Sequence, residues 1–248
     1  MKLSVVIIAK NEALKIGDAI ESVKGLADEV IVLDGESTDA TLSIARKAGA
    51  RTIQQKGDNY SDWRNQGAKA ARGDWIFYLD ADERVTPQLK KEMETEIANP
   101  RFSAYAIPRK NIILGYEMRH GGWWPDYVKR LFKKDALKVW KGELHEEPTF
   151  TGNIGHFKEP LIHIKHDNLS EMIEKTNKWS VIEAKLLYKS DHPMMSWWRF
   201  LRVMFTELWD RLIVKRGFLD GTQGVIYAIY QMWSKFITYG KLWEMQRK

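Results

Sequence analysis

Residues 73–83 read Gly-Asp-Trp-Ile-Phe-Tyr-Leu-Asp-Ala-Asp-Glu, and this stretch decides the fold class. Its apolar part, Trp75–Leu79, is a continuous run, which is typical of a strand buried on both faces of a parallel sheet. Leu3–Ile8 and Glu29–Leu33 are predicted to be earlier strands of the same kind. The Asp-Ala-Asp that follows therefore lies at a strand end, where parallel sheets bind their ligands.

Predicted strands and helices alternate through the first hundred residues. Arg51–Gln54 is a short third strand, and Ser103–Pro108 is a fifth. The alternation predicts an α/β fold with a mostly parallel sheet and helices on both faces. Helices are predicted over Ala13–Lys24, from a cap at Ser37 or Thr38 to Ala48 before Gly49, over Trp63–Ala71, and from the cap Thr86 to Ile97.

The rest of the chain has a different character. Residues 111–168 are rich in Gly, Trp, His and charge, and the strands predicted there are Val128–Lys133 and Pro160–Ile164. Beyond them, apolar residues at helical spacing predict amphipathic helices. These helices are Ser170–Tyr188, Ser196–Lys215 and Val225–Trp243, with a break at Gly217–Gly224.

Charge and tryptophan are concentrated in the tail. The chain has 39 basic and 33 acidic residues, for a net charge of +6. Residues 190–248 hold nine Lys/Arg against five Asp/Glu, and five of the eleven tryptophans. A basic and aromatic helix favours a membrane surface over nucleic acid, and a homo-oligomer interface is the alternative. The sequence contains no cysteine, which excludes disulfides and thiolate chemistry, and we expect no signal peptide and no spanning helix.

The Asp-x-Asp pair after the fourth strand could hold a metal. Asp80 and Asp82 can present oxygens to one hard cation, and Mg²⁺ or Mn²⁺ prefers carboxylate and phosphate oxygens. Such a metal would neutralise a diphosphate leaving group. The alternative is that Asp82 and Glu83 only begin a polar turn before the helix capped by Thr86.

Polar residues follow the first two strands as well. Asn11 and Glu12 come directly after the first strand, and Asp34 comes directly after the second. Because parallel strands bring their carboxyl ends to one edge, these side chains are predicted to share a site with the Asp-x-Asp pair.

Several segments resemble family 2 glycosyltransferases in order and spacing, most strongly over residues 3–85. The later segments resemble, more narrowly, the bacterial lipopolysaccharide-core glucosyltransferases of that family. The segments are Ser4–Glu12, Val32–Asp39, Arg64–Gly67, Gly73–Glu83, and then Trp140–Pro148, Leu161–His163 and Gly217–Gly221.

The resemblance implies a GT-A fold, which is a Rossmann-like, mostly parallel sheet with flanking helices. It implies a catalytic domain over residues 1–168, in which 1–100 bind the nucleotide sugar and 101–168 meet the acceptor. Residues 169–248 would then be a helical region that is membrane-associated or oligomerising. The implied reaction is an inverting transfer of a hexose, glucose as first choice, from a UDP-linked sugar to lipopolysaccharide core or another envelope glycan or lipid-linked acceptor. The expected location is cytoplasmic, peripheral on the inner face of the plasma membrane.

The family's functional residues carry over by position. Asp34 and Arg64 would contact the base, usually uracil, and Glu12 would lie near the nucleoside. Asp80 would lie near the ribose or the metal. One departure concerns base recognition, because Leu33 replaces an acidic residue that many members have and Glu36 interrupts the turn. The expected nucleotide-sugar site is Ala9, Asn11, Glu12, Asp34, Arg64, Asp80, Ala81, Asp82 and Arg130, and the expected metal ligands are Asp82 first, then Asp80 and His163.

Two further expectations concern the chemistry. An inverting displacement needs a base for the acceptor hydroxyl, and the resemblance favours Glu146, with Glu147 and Asp126 as runners-up. The alternative for Glu146 is an exposed loop carboxylate that pairs with a lysine. Arg130 is predicted to approach the diphosphate, since a guanidinium matches phosphate geometry, and its alternative is a surface salt bridge. A lone His163 is more often structural than a ligand.

Other functions are less well supported by this sequence than a glycosyltransferase. A nucleotidyltransferase also uses carboxylates and a metal, but Ala9–Glu12 lacks the glycine-rich phosphate loop expected after its first strand. A membrane-bound glycan-binding protein with a degenerate site is the non-enzymatic alternative. Nucleic-acid binding would fit the basic charge but lacks a recognisable motif.

Overall fold

The computed structural model describes residues 2–57, 59–142 and 146–247. The chain divides into two compact units. The first unit is Met1–Arg109 with Tyr127–His163, and the second is Lys110–Asp126 with Ile164–Lys248.

The strands lie mostly in the first unit, and the last three α-helices lie in the second. The described strands are β1 Leu3–Ala9, β2 Glu29–Asp34, β3 Arg51–Gln54, β4 Trp75–Asp80, β5 Glu83–Val85, β6 Ala104–Ile113, β7 Tyr116–Met118, β8 Asp126–Lys133, β9 Leu137–Lys141, β10 Glu147–Phe150, β11 Ile154–His156 and β12 Leu161–His166. The described α-helices are α1 Ile16–Ser22, α2 Thr41–Lys47, α3 Tyr60–Ala70, α4 Pro87–Ala98, α5 Leu169–Lys189, α6 Trp197–Trp209 and α7 Gly221–Gln246.

The sheet has the strand order β3-β2-β1-β4-β8-β6-β12-β5. Its first four strands are parallel to one another, with β1 between β2 and β4. Antiparallel pairs, β4 with β8 and β12 with β5, follow on the other side. The predicted α/β fold class is confirmed, because the first four strands of the sheet are parallel and helices flank it.

Both faces of the parallel strands are buried, which explains their continuous apolar runs. Along β1, Val5 and Ile7 face one core cluster, and Val6 faces the other. Along β4, Phe77 belongs to the first cluster and Tyr78 to the second. Successive side chains of a strand point to opposite faces, so a strand covered on both sides needs apolar residues at every position.

The predicted starts of the first two helices are wrong. The helix α1 begins at Ile16 rather than Ala13, because the N–H groups of Glu12 and Ala13 donate to side chains of another loop, Thr41 and Asp39. The helix α2 begins at Thr41 without a side-chain cap. The predicted caps at Ser37 and Thr38 instead hydrogen-bond to Asn11 in the loop after β1.

Helices dominate the second unit. Its two core clusters draw on α5 and α7, through Met172 and Tyr227 in one and Ala184 and Leu242 in the other. Asp220, which precedes α7 and is 2% exposed, accepts hydrogen bonds from the backbone N–H groups of Arg119 (3.1 Å) and His120 (2.7 Å). The carboxylate thus holds a distant segment of this unit in place.

The predicted helix over Ser196–Lys215 is shorter than expected. The α-helix ends at Trp209, and a π turn over Asp210–Val214 follows, closed by a bond from Lys215 N–H to the Asp210 carbonyl at 2.8 Å. The predicted break is also shorter, since α7 already begins at Gly221. Within the described residues, none of the helices is both long enough and apolar enough to cross a bilayer.

The helix cap of α4 gives a stability prediction. The Thr86 hydroxyl accepts a hydrogen bond from Leu89 N–H at 3.1 Å, as the sequence predicted. Replacing it in Thr86→Ala should lower the free energy of unfolding by about 1 kcal/mol, measured by chemical denaturation. Thr95→Ala is the matched control, because Thr95 is an exposed residue inside the same helix and alanine is a better helix former there. Equal losses in the two variants would contradict the cap.

Candidate functional site

The parallel strands bring the predicted polar residues to one edge. In the sheet register, Ala9 lies beside Asp34 and Ile8 lies beside Asp80. The N–H of Gly35 donates to the carbonyl of Ala9 at 2.9 Å, which continues the β1–β2 pairing past the strand ends. The structure therefore joins the strand tips that the sequence placed together.

The loop after β1 is fastened to the loop after β2. Asn11 N–H donates to the Ser37 hydroxyl at 2.9 Å, and the Asn11 side-chain oxygen accepts from Thr38 N–H at 2.8 Å. Glu12 N–H donates to the Thr41 hydroxyl at 2.8 Å. Asn11 has a positive φ of 57°, a conformation that asparagine tolerates better than most residues. These bonds fix the backbone at Asn11 and Glu12.

Asp39, which was not among the predicted site residues, adds further hydrogen bonds between these two loops. Its carboxylate accepts from the N–H of Ala13 at 3.1 Å and of Thr41 at 3.0 Å. Burial raises the pKa of Asp39, but the hydrogen bonds from Thr41 and Ala13 outweigh burial and lower its pKa below the ordinary value. An aspartate two residues before a helix start is the signal that could have identified it.

Asp34 carries an unused acceptor at this edge. The residue is fully buried, and one carboxylate oxygen accepts from Ser37 N–H at 3.1 Å. The other oxygen, Oδ1, is buried and has no hydrogen-bond partner among the described residues. Buried acceptors in proteins are normally satisfied, so an unsatisfied carboxylate oxygen suits a ligand that brings an N–H group.

The residue after Asp34 has to be glycine. A Cβ on Gly35 would lie 1.9 Å from the ring of Trp63, which is buried on α3. The close packing of this turn against α3 places Asp34 near the helix that carries Arg64. Leu33, which replaces an acidic residue of many relatives, lies in the core beneath this turn.

Arg64 is held on three sides. Its guanidinium donates to Asp80 Oδ1 at 3.0 Å and lies over the rings of Trp140 (4.9 Å) and Tyr78 (5.6 Å). The Tyr78 hydroxyl donates to the Arg64 carbonyl at 3.0 Å. Charge and ring contacts together fix the orientation of this buried arginine.

A second arginine, Arg130, lies between two carboxylates. It donates to Asp80 and, at 2.7 Å, to Glu83, and it is only 5% exposed. Glu83 is fully buried and also accepts from Arg109 at 3.3 Å and from the N–H of Asp80 at 3.0 Å. The expected position of Arg130 beside a diphosphate stays a prediction, and its alternative as a surface salt bridge is wrong because the pair is buried. We predicted no role for Glu83 or Arg109, although Arg109 directly follows the predicted apolar strand Ser103–Pro108.

The ion-pair network shifts the ionisation of its members. Burial raises the pKa of Asp80, but the positive charges of Arg130 and Arg64 outweigh burial and hold its pKa well below the usual range. Burial lowers the pKa of Arg130, but the charges of Asp80 and Glu83 raise it above the ordinary value. Asp80 and Arg130 are therefore both ionised at neutral pH.

Asp82 lies beside a histidine. The pairing of β12 with β5 sets His163 opposite Glu83, one residue beyond Asp82, and His163 Nε2 is 3.4 Å from Asp82 Oδ2. His163 is 5% exposed. Across the described ranges, the structure contains no cluster of three or more His, Asp or Glu side chains arranged to hold a metal. Asp82 and His163 thus lie side by side, while the oxygens of Asp80 accept hydrogen bonds from arginines.

Arg84 connects the Asp-x-Asp loop to the loop after β1. It donates to the carbonyl of Ala81 at 2.8 Å and to the carbonyl of Lys15 at 2.9 Å. Burial lowers the pKa of Arg84, against the opposing charges of Asp18 and Asp82. Ala81, a predicted site residue, is thereby held through its backbone.

The candidate base lies in the β9–β10 connection. Glu146 is half-buried and directly precedes β10, whereas Glu143, Leu144 and His145 lie outside the described residues. Helix α3 holds the start of this connection, because the Ser61 hydroxyl donates to the Gly142 carbonyl at 2.6 Å.

The two runners-up have partners of their own. Glu147 is 70% exposed and accepts from Lys129 at 2.6 Å, so this residue, rather than Glu146, shows the loop carboxylate–lysine pair. Asp126 belongs to the second unit, where its carboxylate accepts from the Asn111 side chain at 3.0 Å.

Residues 4–157 match the family model described as Glycosyl transferase family 2, which covers more than half of the chain. The chain belongs to this family. As a family 2 glycosyltransferase it is a transferase enzyme, and this assignment displaces the nucleotidyltransferase and the non-catalytic alternatives.

Similar proteins include two glycosyltransferases and one solved structure. An uncharacterized glycosyltransferase of Rickettsia conorii is 29% identical over 261 residues, covering 100% of this chain and 92% of that protein. The lipopolysaccharide core biosynthesis glycosyltransferase LpsC of Rhizobium meliloti is 26% identical, covering 98% and 93%. Glucosyl-3-phosphoglycerate synthase of Mycobacterium tuberculosis, solved with Mn²⁺, UDP and glucosyl-3-phosphoglycerate, has a TM-score of 0.49 at 19% identity, covering 77% and 81%.

Removing the central arginine should destabilise this glycosyltransferase strongly. Arg130→Met leaves the fully buried Glu83 and the partly buried Asp80 without their shared counter-charge, so the free energy of unfolding should fall by about 3–5 kcal/mol in denaturant titrations. Arg101→Met is the control, because Arg101 pairs with Glu96 while 71% exposed, and water screens such an exposed pair. Equal losses of the free energy of unfolding in the two variants would show that the buried ion pairs stabilise the protein no more than an exposed pair does.

The lowered pKa of Asp80 predicts acid sensitivity. Its folded pKa lies below the unfolded value of about 3.9, so its stabilisation is complete above that pH and declines as the pH falls towards the folded pKa. The free energy of unfolding should therefore fall as the pH drops below about 4, and it should fall less steeply in Asp80→Asn. Thr86→Ala, which removes no charge, should keep the wild-type slope. Parallel slopes for Asp80→Asn and wild type would refute the linkage.

Proposed function

We propose that the protein is an inverting glycosyltransferase that transfers a hexose, glucose as first choice, from a uridine diphosphate sugar. The observation that carries the proposal is the joint position of Asp34, Asp80 and the Asp82–His163 pair at one sheet edge. The edge offers an acceptor for a base at one end and metal-binding donors at the other. The family assignment supports the transfer itself.

Asp34 would recognise the base. Its buried, unsatisfied Oδ1 can accept the ring N–H of uracil, and guanine offers a ring N–H as well. Cytosine and adenine present an acceptor nitrogen at the matching position, which a carboxylate repels. Arg64 would contact the same base from α3, with its guanidinium already oriented by Asp80 and Trp140. This chemistry favours uridine or guanosine donors.

Asp82 and His163 fit a divalent metal. Mg²⁺ and Mn²⁺ bind through one or two protein donors when phosphate oxygens and water complete the shell, so two donors are enough beside a diphosphate. When bound, such a metal neutralises the departing diphosphate. Asp80 would act differently, because its oxygens are engaged by Arg64 and Arg130, and it would orient the loop and the ribose-facing edge.

Glu146 would be the base. Its carboxylate takes the proton of the acceptor hydroxyl while that oxygen forms a bond to the anomeric carbon. The bond from this carbon to the diphosphate breaks at the same time, and its electron pair leaves with the diphosphate. Attack from the opposite face inverts the configuration. Glu147 is less suited because Lys129 already neutralises its carboxylate.

We further propose that the acceptor is the lipopolysaccharide core or another envelope glycan or lipid-linked sugar. Full-length similarity to a protein named for lipopolysaccharide core biosynthesis supports this acceptor class. We propose that an enzyme acting on such an acceptor works on the cytoplasmic side, peripheral on the inner face of the plasma membrane.

Donor binding tests the first part of the proposal. Isothermal titration calorimetry with Mn²⁺ should detect UDP-glucose or UDP, and should not detect CDP or ADP. Asp82→Asn should weaken Mn²⁺-dependent binding at least about tenfold, or ~1.4 kcal/mol. Asp62→Asn, an exposed position on α3, is the control. If no uridine or guanosine diphosphate sugar binds in the presence of metal, the proposal is wrong.

The base is tested by separating binding from turnover. Glu146→Gln should keep donor affinity and reduce sugar transfer by about 10²-fold or more, because the amide cannot accept the proton. Glu147→Gln is the matched neighbour and should retain transfer. Normal turnover in Glu146→Gln, assayed by release of UDP in the presence of acceptor, would remove Glu146 from the mechanism.

A further inference from the structure

Helix α6 exposes large apolar side chains. No residue of this helix is fully buried, and the four most prominent side chains repeat every four residues. Trp197 is 76% exposed, Leu201 60%, Phe205 65% and Trp209 50%. Trp198 lies beside them and is 45% exposed. We refer to these five side chains as the α6 face.

The α6 face is not the side by which the helix packs. The half-buried residues Phe200 and Val203 lie towards the opposite side of the helical wheel, and the ring centroid of Phe200 is 5.9 Å from that of Phe236 on α7. A surface helix normally turns its apolar stripe to the core and its polar residues to water. In α6 one part of the apolar surface packs against α7, and the α6 face remains exposed.

The charges around the α6 face are basic. The two acidic residues between positions 197 and 215 both form ion pairs: Glu207 pairs with Arg211 at 2.7 Å and Asp210 with Lys215 at 2.6 Å. Arg199 and Arg202 instead lie over the ring of Trp198, at 4.8 and 5.6 Å. Two guanidinium groups therefore stand at the border of the exposed tryptophans.

We propose that the α6 face lies in the interface of an anionic lipid bilayer, with its aromatic side chains among the acyl chains and Arg199 and Arg202 at the headgroup phosphates. Tryptophan prefers the boundary between headgroups and hydrocarbon, and arginine binds phosphate through paired N–H donors. An amphipathic helix with both features binds a membrane surface without crossing it. Exposed apolar side chains follow on in sequence, at Ile213, Val214, Phe218 and Leu219, and extend the region available for this contact.

Lipid explains the α6 face better than a second copy of the chain does. A symmetric contact through α6 would bring the arginines of both copies together, and the nearby acids that could neutralise them are already paired. Anionic headgroups supply the missing negative charge. The inference is independent of the donor, the metal and the base proposed above.

Vesicle co-sedimentation of the full-length protein tests the inference. Wild type should bind vesicles of phosphatidylglycerol mixed with phosphatidylcholine and bind pure phosphatidylcholine vesicles more weakly. The triple variant Leu201→Gln, Phe205→Gln and Trp209→Gln should lower the partition coefficient by about tenfold or more, because three exposed apolar groups are lost. These positions are exposed, so the fold should be kept, and circular dichroism checks it.

Two further variants make the outcome specific. Val225→Gln with Ile229→Gln removes exposed apolar side chains of α7 and should leave binding within about twofold. Arg199→Gln with Arg202→Gln should reduce the preference for anionic over neutral vesicles, as should high salt. Wild type that fails to sediment with anionic vesicles overturns the inference. So does a triple variant that binds normally, or one whose only change is a dimer becoming a monomer in analytical ultracentrifugation.

Discussion

The charge balance around Arg130 is the constraint on which the site depends. This buried guanidinium lies between Asp80 and Glu83, which are three residues apart at the end of β4 and the start of β5. A buried carboxylate without a counter-charge is costly, so the arginine that strand β8 supplies stabilises the turn between these strands, together with Arg64 and Arg109. Asp82, inside that turn, is positioned by the same balance.

The ion pairs around Asp80 are connected to helix α3 and strand β9 through Arg64 and Asn65. Arg64 joins Asp80 to Trp140, and the Asn65 side chain next to it accepts from the Trp140 N–H at 2.8 Å. The β9–β10 connection that carries Glu146 is thereby tied to helix α3. Helices and strands therefore hold both the carboxylates at the strand ends and the start of the β9–β10 connection.

The two units illustrate different uses of apolar surface. In the first unit, apolar runs are buried on both faces of the sheet, which makes the strand tips a rigid support. In the second, the α6 face leaves five large apolar side chains in contact with water. Such surface is unfavourable in an isolated soluble domain and favours a partner that is itself apolar.

The sequence by itself determined the parallel sheet, the strand ends and the grouping of Asp34, Asp80 and Asp82, because apolar runs and strand polarity are local properties. It did not determine what each side chain contacts. The partners of Asp80 come from α3, 16 residues earlier in the chain, and from β8, 50 residues later. Helix starts were misplaced for the same reason, since Asp39 and Thr41 bond the loop after β1. The side-chain partners and the helix starts depend on the tertiary structure, because hydrogen bonds and ion pairs form between groups that the fold makes neighbours.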